Sequence, residues 1–128
     1  MTSQTPLILV MDDDRLVCST ARLMLIRLGY EVVLAADGES AIHEYARSLE
    51  SDRPVSVAIL DIKVVGGQGA VAAAMGILAL DPEATLVVSS GSTIVPELVH
   101  FQDFGFAGRL AKPFLVGDLG MLVGELLD

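Results

Sequence analysis

The chain has 128 residues, enough for one domain and too few for two that each bury a core. Hydrophobic residues make up 52% of it and charged residues 20%, which excludes an intrinsically disordered chain. Eight Lys and Arg against seventeen Asp and Glu leave a formal charge of −9, which repels phosphate backbones and argues against direct binding to nucleic acid or an anionic membrane.

In chain order, Met1–Pro6 lacks the basic start and the length of a signal peptide. Leu7–Met11 is a first apolar run of strand length. Behind it, Val17, Ala21, Met24 and Leu28 recur at i, i+4, i+7 and i+11, and Gly29 stops a first helix. Glu31–Ala35 is a second strand, and Ala41, Tyr45 and Leu49 mark the second helix. Val55–Leu60 is a third strand, followed by a helix with Val71, Ala74 and Leu78 on one stripe and Asp81-Pro82 at its end. Thr85–Ser89 is the fourth strand; Val95, Leu98 and Val99 behind Pro96 make a shorter helix. Ala107–Ala111 is the fifth strand, and Leu115, Leu119, Leu122 and Leu126 define the last helix.

Four of these strands are almost continuously apolar, as in a parallel sheet covered on both faces. Strand and helix alternate five times, which calls for right-handed crossovers and one doubly wound α/β domain over residues 1–128. No run approaches the ~18–20 apolar residues of a membrane-spanning helix. Cys18 is the one cysteine, so an intramolecular disulfide and a Cys-rich metal site are excluded and a reducing, cytoplasmic setting fits.

In open parallel sheets, ligands bind beyond the carboxyl ends of the strands. The first strand here ends in Asp12-Asp13-Asp14, the third in Asp61, the fourth in Ser89-Ser90-Gly91, and the fifth leads into Lys112-Pro113-Phe114. Carboxylates converging on one edge repel unless a cation joins them, and hard oxygen ligands suit Mg²⁺. A lysine and a hydroxyl at the same edge complete what phosphoryl transfer to a carboxylate needs. Taken singly, most of these residues have plainer readings: Asp14 is a helix cap, the serines are turn residues and Lys112 is solvated surface. Asp61 is harder to explain away, since an unpaired charge behind an apolar strand is costly. His43 and His100 lack metal-ligand spacing, and Cys18 reads as a small buried hydrophobe.

These residues, in this order, resemble the receiver domain of two-component response regulators from Leu7 to Leu127. The resemblance rests on Val10-Met11-Asp12-Asp13-Asp14, Ile59-Leu60-Asp61, Val88-Ser89-Ser90-Gly91 and Lys112-Pro113-Phe114. It implies a five-stranded, flavodoxin-like sheet in the order 2-1-3-4-5. It also implies a phosphoryl group carried on Asp61, supplied by a histidine kinase or a histidine phosphotransfer protein. Mg²⁺ (or Mn²⁺) would be held by Asp13, Asp61 and the backbone carbonyl of Lys63, with Asp12 assisting. Ser90 would be the switch hydroxyl and Lys112 the partner of a phosphate oxygen, its bond to Pro113 being cis. Such a domain assists its own phosphorylation and is no conventional turnover enzyme; its output passes to a downstream protein. The glycine-bearing segments Gly66-Gly67-Gln68-Gly69 and Gly105-Phe106-Ala107-Gly108 look most like receivers of hybrid sensor histidine kinases.

The sequence departs from the family pattern in three places. Arg109 stands where many receivers carry a switch aromatic, so the signal is expected to travel through the Ser90–Gly91 loop or a rearranging Arg109 salt bridge. Val65 replaces a usual proline. Lys63 brings a long cation near the acceptor. Gly120 and Gly124 on the last helix point to a close approach, and the 94–127 surface is a candidate for a second copy or another partner. Two other classes remain open: a pseudo-receiver read without phosphorylation, and a flavin- or nucleotide-binding enzyme, for which the glycine cluster is a weak signal. Lys63→Asn is expected to change the decay rate of the phosphoaspartate; an unchanged dephosphorylation rate would refute that role.

Overall fold

The computed structural model describes residues 5–63 and 69–127. Five strands, β1 Leu7–Met11, β2 Glu31–Ala35, β3 Val55–Asp61, β4 Leu86–Ser90 and β5 Gly108–Ala111, form one parallel sheet in the order β2-β1-β3-β4-β5. Helices α1 Arg15–Arg27, α2 Gly38–Glu50, α3 Ala70–Leu80 and α4 Pro96–Val99 connect them, and α5 Val116–Leu127 follows the last strand. A short 3₁₀ turn, Phe101–Phe104, extends α4 and ends at Gly105 with φ 89°. The predicted doubly wound fold and strand order are those observed. Val65 and Gly66-Gly67-Gln68 lie outside the described residues.

The apolar strands bury both faces because each side has its own helical cover. Leu9, Met11, Leu60 and Val88 pack with Tyr45 and Ile77 beneath α2 and α3. Ile8, Val10, Ile59 and Val87 pack with Ala21, Leu25, Leu119 and Val123 beneath α1 and α5. The edge strand β5 is buried only at alternate residues, since α5 covers the face that holds Gly108 and Leu110 and the other face meets only the short α4 and the turn behind it.

The predicted helical stripes share Ala21, Ala41, Tyr45, Ala74 and Leu119 with the true buried lines and diverge from them elsewhere. In α1 the buried residues are Cys18, Ala21 and Leu25, while Val17 and Met24 are half-buried and Leu28 is exposed. In α3 they are Ala70, Ala73, Ala74 and Ile77, with Val71 and Leu78 at the margin. These helices carry apolar residues around much of their circumference, so spacing alone left their rotation about one residue uncertain. Leu49 and Leu115 are exposed, at 40% and 71%. Ser48 takes the inward place in α2, its hydroxyl donating to the Tyr45 carbonyl at 2.7 Å and accepting from the Val55 N–H at 3.1 Å.

Glycine permits two close helix approaches. A Cβ on Gly76 would stand 2.3 Å from Ile42, where α3 crosses α2. A Cβ on Gly120 would meet Leu28 at 3.0 Å, so the close approach predicted on the last helix is made by the chain's own first helix. At Gly124 the space is open.

Tyr45 joins the second and third helical layers: buried to 2% exposure, it donates its hydroxyl to Asp81 Oδ2 at 2.6 Å. Burial and the Asp81 carboxylate both push the phenol pKa upward, keeping it a donor. Tyr45→Phe is expected to lower stability by about 2 kcal/mol, the usual worth of a hydrogen bond to a charged acceptor, measured by denaturant unfolding.

Candidate functional site

The edge at the carboxyl ends of β1, β3, β4 and β5 collects the residues singled out from the sequence. Asp12 follows β1, with its N–H on the Ala35 carbonyl. Asp61 is the last residue of β3 and stays in the ladder opposite Ser89; Ser90 closes β4 opposite Ala111. Strand limits differ here from expectation, β3 running through Asp61 and β4 spanning Leu86–Ser90. The reason lies in the backbone: Ile62 N–H bonds the Ser89 carbonyl at 2.9 Å and Lys112 N–H the Ser90 carbonyl at 2.8 Å, carrying the ladder to the edge. At its other end β5 starts at Gly108, one residue later than expected. The Lys112–Pro113 bond is cis.

Lys112 Nζ donates to Asp12 Oδ2 at 2.5 Å and to Asp61 Oδ1 at 3.1 Å. Both carboxylates are buried, at 4% and 6% exposure, whereas Asp13 is exposed. One oxygen from each of Asp12, Asp13 and Asp61 lies within 4.8 Å of the others. Asp12 Oδ1 accepts from the Asp14 N–H at 2.9 Å, and Asp14 caps α1 through the Leu16 N–H at 2.9 Å, as its plainer reading had it. The Cys18 thiol donates to the Asp12 carbonyl at 3.2 Å.

Burial pushes the Asp61 carboxyl pKa above its ordinary 3.8; Asp12 and Asp13 push the same way, against the Lys112 bond. For Lys112 burial alone would lower the ammonium pKa, but the bonds to Asp12 and Asp61 outweigh it and hold the group above 10.5. Lys112 is shared by two buried carboxylates, and an oxygen of the exposed Asp13 lies beside them. Three clustered carboxylate oxygens are the donor set a hard divalent cation takes, and the residues present fit such an ion. Burial, with the Asp12 charge, pushes the Cys18 thiol pKa up, away from the reactive thiolate. His43 and His100 are exposed on α2 and behind α4, remote in role from the cluster.

The resemblance assigns the switch hydroxyl to Ser90 and gives Ser89 no role; strand alternation sends the two to opposite faces. Ser90 Oγ accepts the Ser92 N–H at 3.0 Å. Ser89 is 3% exposed, and its Oγ is the one buried side-chain polar atom without a hydrogen-bond partner among the described residues. Such an orphan hydroxyl costs about 1–3 kcal/mol. The sequence signal was present in two adjacent hydroxyls at the end of a buried strand.

The salt bridge expected of Arg109 is not formed among the described residues. Instead Arg109 Nη1 donates to the Leu98 carbonyl at 3.3 Å, and its guanidinium stands 5.6 Å from the Phe101 ring centroid. It thereby links β5 to α4 and the turn behind it. Lys63 is exposed just past the acceptor. Gly69 was seen only as part of a glycine cluster, yet its role is steric: a Cβ there would stand 2.5 Å from the Ile62 carbonyl oxygen, where the start of α3 presses on the backbone behind Asp61.

Comparison with known proteins agrees with this arrangement. The family model described as response regulator receiver domain matches residues 8–123. The transcriptional regulatory protein PrrA of Mycobacterium tuberculosis is 32% identical over 123 residues, covering 96% of this chain and 50% of PrrA. Transcription factor SKN7 of Candida albicans is 28% identical over 122 residues, 94% of this chain and 21% of that protein. The chain thus spans about half the length, or less, of these curated relatives. A CheY-like receiver domain protein from Methanospirillum hungatei matches with a TM-score of 0.83 at 23% identity, over 98% of this chain and 95% of that one. The receiver domain of a Pseudomonas aeruginosa sensor histidine kinase, described with a magnesium ion coordinated in its active-site cleft, matches at TM-score 0.83 and 21% identity, over 97% and 98%. No helix among the described residues is long and apolar enough to cross a membrane. With the family match running from β1 into α5, the chain belongs to the receiver domains of two-component response regulators.

Proposed function

We propose that this receiver takes a phosphoryl group onto Asp61 from the phosphohistidine of a histidine kinase or histidine phosphotransfer protein and thereby changes the partner its surface binds. The observation that carries this reading is Lys112 Nζ bridging buried Asp12 and Asp61 beside a three-carboxylate cluster. An Asp61 carboxylate oxygen attacks phosphorus while the bond from phosphorus to the histidine nitrogen breaks, leaving an acyl phosphate. Lys112, already on Asp61 Oδ1, is within reach of a phosphoryl oxygen attached to that carboxyl. Asp12, Asp13, Asp61 and the Lys63 carbonyl would hold Mg²⁺ or Mn²⁺, which when bound neutralises carboxylate and phosphoryl charge.

Ser90 serves as the switch hydroxyl by exchanging its bond from the Ser92 N–H for one to a phosphoryl oxygen. Because Lys112 N–H hangs on the Ser90 carbonyl and Arg109 on Leu98, a shift at Ser90 is felt along β5 and into α4. The 94–127 surface, where a downstream protein or a second copy would read the change, includes that link. The donor side is supported by a cleft of about 500 Å³ lined by Leu16, Val17, Thr20, Gly91, Lys112 and Phe114. Exposed Leu16, Leu23, Leu115 and Met121 continue it as an apolar strip suited to a helical donor. The domain acts on its own side chain and not on a stream of substrates, in the cytoplasm, alone or within a hybrid kinase.

Incubation with acetyl phosphate and Mg²⁺ is expected to add about 80 Da by intact mass, lost in Asp61→Asn. No adduct on the wild-type chain would instead favour a surface read without phosphorylation. Stability gives an independent check. Asp61 binds its proton more tightly folded than unfolded, so its ionisation penalty is absent below the ordinary carboxylate value of 3.8 and grows as pH rises through the raised folded value. Without metal, Asp61→Asn is therefore expected to raise Tm at pH 7 and to lose that advantage below pH 3.8. Added Mg²⁺ should raise the wild-type Tm more than that of the variant. Equal melting temperatures at pH 7 would count against the charge crowding.

A further inference from the structure

Helix α3 carries no polar side chain on any face: Ala70–Leu80 consists of Ala, Val, Met, Gly, Ile and Leu alone. A helix apolar all round belongs in an interior, covered on every side. Here Ala70, Ala73, Ala74 and Ile77 turn inward, while Ala72, Met75 and Ala79, spaced i, i+3 and i+7, form a solvent-facing line with Met75 70% exposed. The apolar surface continues past the helix on both flanks. Where Gly76 lets α2 close in, half-buried Ile42 and Ala46 and exposed Leu49 extend it at i, i+4 and i+7. On the other flank Leu78 meets Gly105, beside exposed Phe104. This face lies on the opposite side of the sheet from the α1–α5 strip.

The charges around it are mostly of one sign. Glu39 and Glu50, at i−7 and i+4 from Ala46, share its side of α2; Asp81 and Glu83 close the C-terminal end of α3; Asp103 lies on the turn next to Phe104. Arg47 pairs with Glu44 on the α2 flank toward β2, and Lys63 stands at the acceptor edge. We propose that the α3 face is a docking surface for a helix of a partner protein whose apolar stripe is bordered by Lys and Arg. Met75 is the pliable central anchor, Ala72 and Ala79 let the partner's backbone come close, and the acidic rim pairs with the basic borders. Charge complementarity selects this occupant: a second copy, itself at −9, would set the same carboxylates against each other, and an anionic membrane would meet the same rim. The opposite placement leaves the α1–α5 strip open while such a partner is bound, and the docking does not depend on Asp61 being the phosphoacceptor.

The probe is a synthetic amphipathic helical peptide with a Leu/Ala stripe bordered by Lys, set against the same peptide with Glu in place of Lys. Adding the Lys peptide is expected to move amide NMR signals of the isotope-labelled chain in residues 70–80 and 42–50. Its binding should be roughly tenfold or more tighter than that of the Glu peptide at low salt, and should weaken as salt is added. Met75→Gln changes an exposed position, so Tm should hold while binding weakens about tenfold, the worth of burying one methionine side chain. Signals in residues 70–80 that stay unmoved, equal binding of the two peptides, or unchanged affinity in Met75→Gln would each overturn the proposal. So would a concentration-dependent dimer of the wild-type chain that Met75→Gln dissolves, because a second copy would then be the occupant.

Discussion

The structure depends on one ammonium group held between two buried carboxylates. Lys112 reaches Asp12 and Asp61 across separations of 100 and 51 residues in the chain. That bridge ties the end of β5 to the ends of β1 and β3 over the top of β4. Without it, Asp12 and Asp61 would face each other nearly dry, and the apolar packing that buries their strands would have to oppose uncompensated charge. Its incompleteness matters equally. Burial, with Asp12 and Asp13 close by, raises the Asp61 pKa in spite of the Lys112 bond, and the three clustered carboxylate oxygens suit a further positive charge.

The backbone carries that electrostatic centre outward. Ser89 and Ser90 receive hydrogen bonds from Ile62 and Lys112 through their carbonyls, so the acceptor, the two hydroxyls and the lysine are fixed by one hydrogen-bond ladder. A ladder of this kind transmits a displacement at one residue to the next strand. The outer end of β5 meets α4 through Arg109, a cation with a carbonyl and an aromatic face for partners in place of a buried ring. A guanidinium over a half-buried ring is held by modest forces, and α4 itself is only one turn long. The region most exposed to changes at the site is therefore also the least firmly built.

The opposite side is built differently. Gly76 lets α2 and α3 meet over Ile42, and Gly120 lets α5 meet α1 over Leu28. The apolar groove between α1 and α5 nevertheless keeps Leu23 and Met121 in solvent, at 65% and 69% exposure. The helices thus supply a rigid floor below the acceptor edge and an uncovered apolar strip beside it. Three of the seventeen acidic residues stand together where a cation can bind them.

Much was legible in the sequence. Continuous apolar strands separated by amphipathic stretches dictate a parallel sheet with two covered faces, and Asp12, Asp13, Asp61, Ser90 and Lys112 could be assigned to one edge because strand ends in such a sheet are co-located by topology. The cap at Asp14 and the burial of Cys18 follow from local chemistry alone. Contacts between side chains distant in sequence were beyond that reading. The apolar spacing in α1 and α2 does not settle which member of a neighbouring pair turns inward until the helices pack, so Leu25 and Ser48, not Leu28 and Leu49, are the buried members. Gly120 has an internal partner, and Arg109 a carbonyl and a ring instead of a carboxylate, because folding alone brings Leu28, Leu98 and Phe101 to them. The sequence by itself determined the sheet, its order of covering helices and the identity of the charged cluster, since those follow from periodicity and residue type. Tertiary structure decided which carboxylates share Lys112 and which serine hydroxyl stays unpaired, since both are set by strand register and side-chain direction across neighbouring strands.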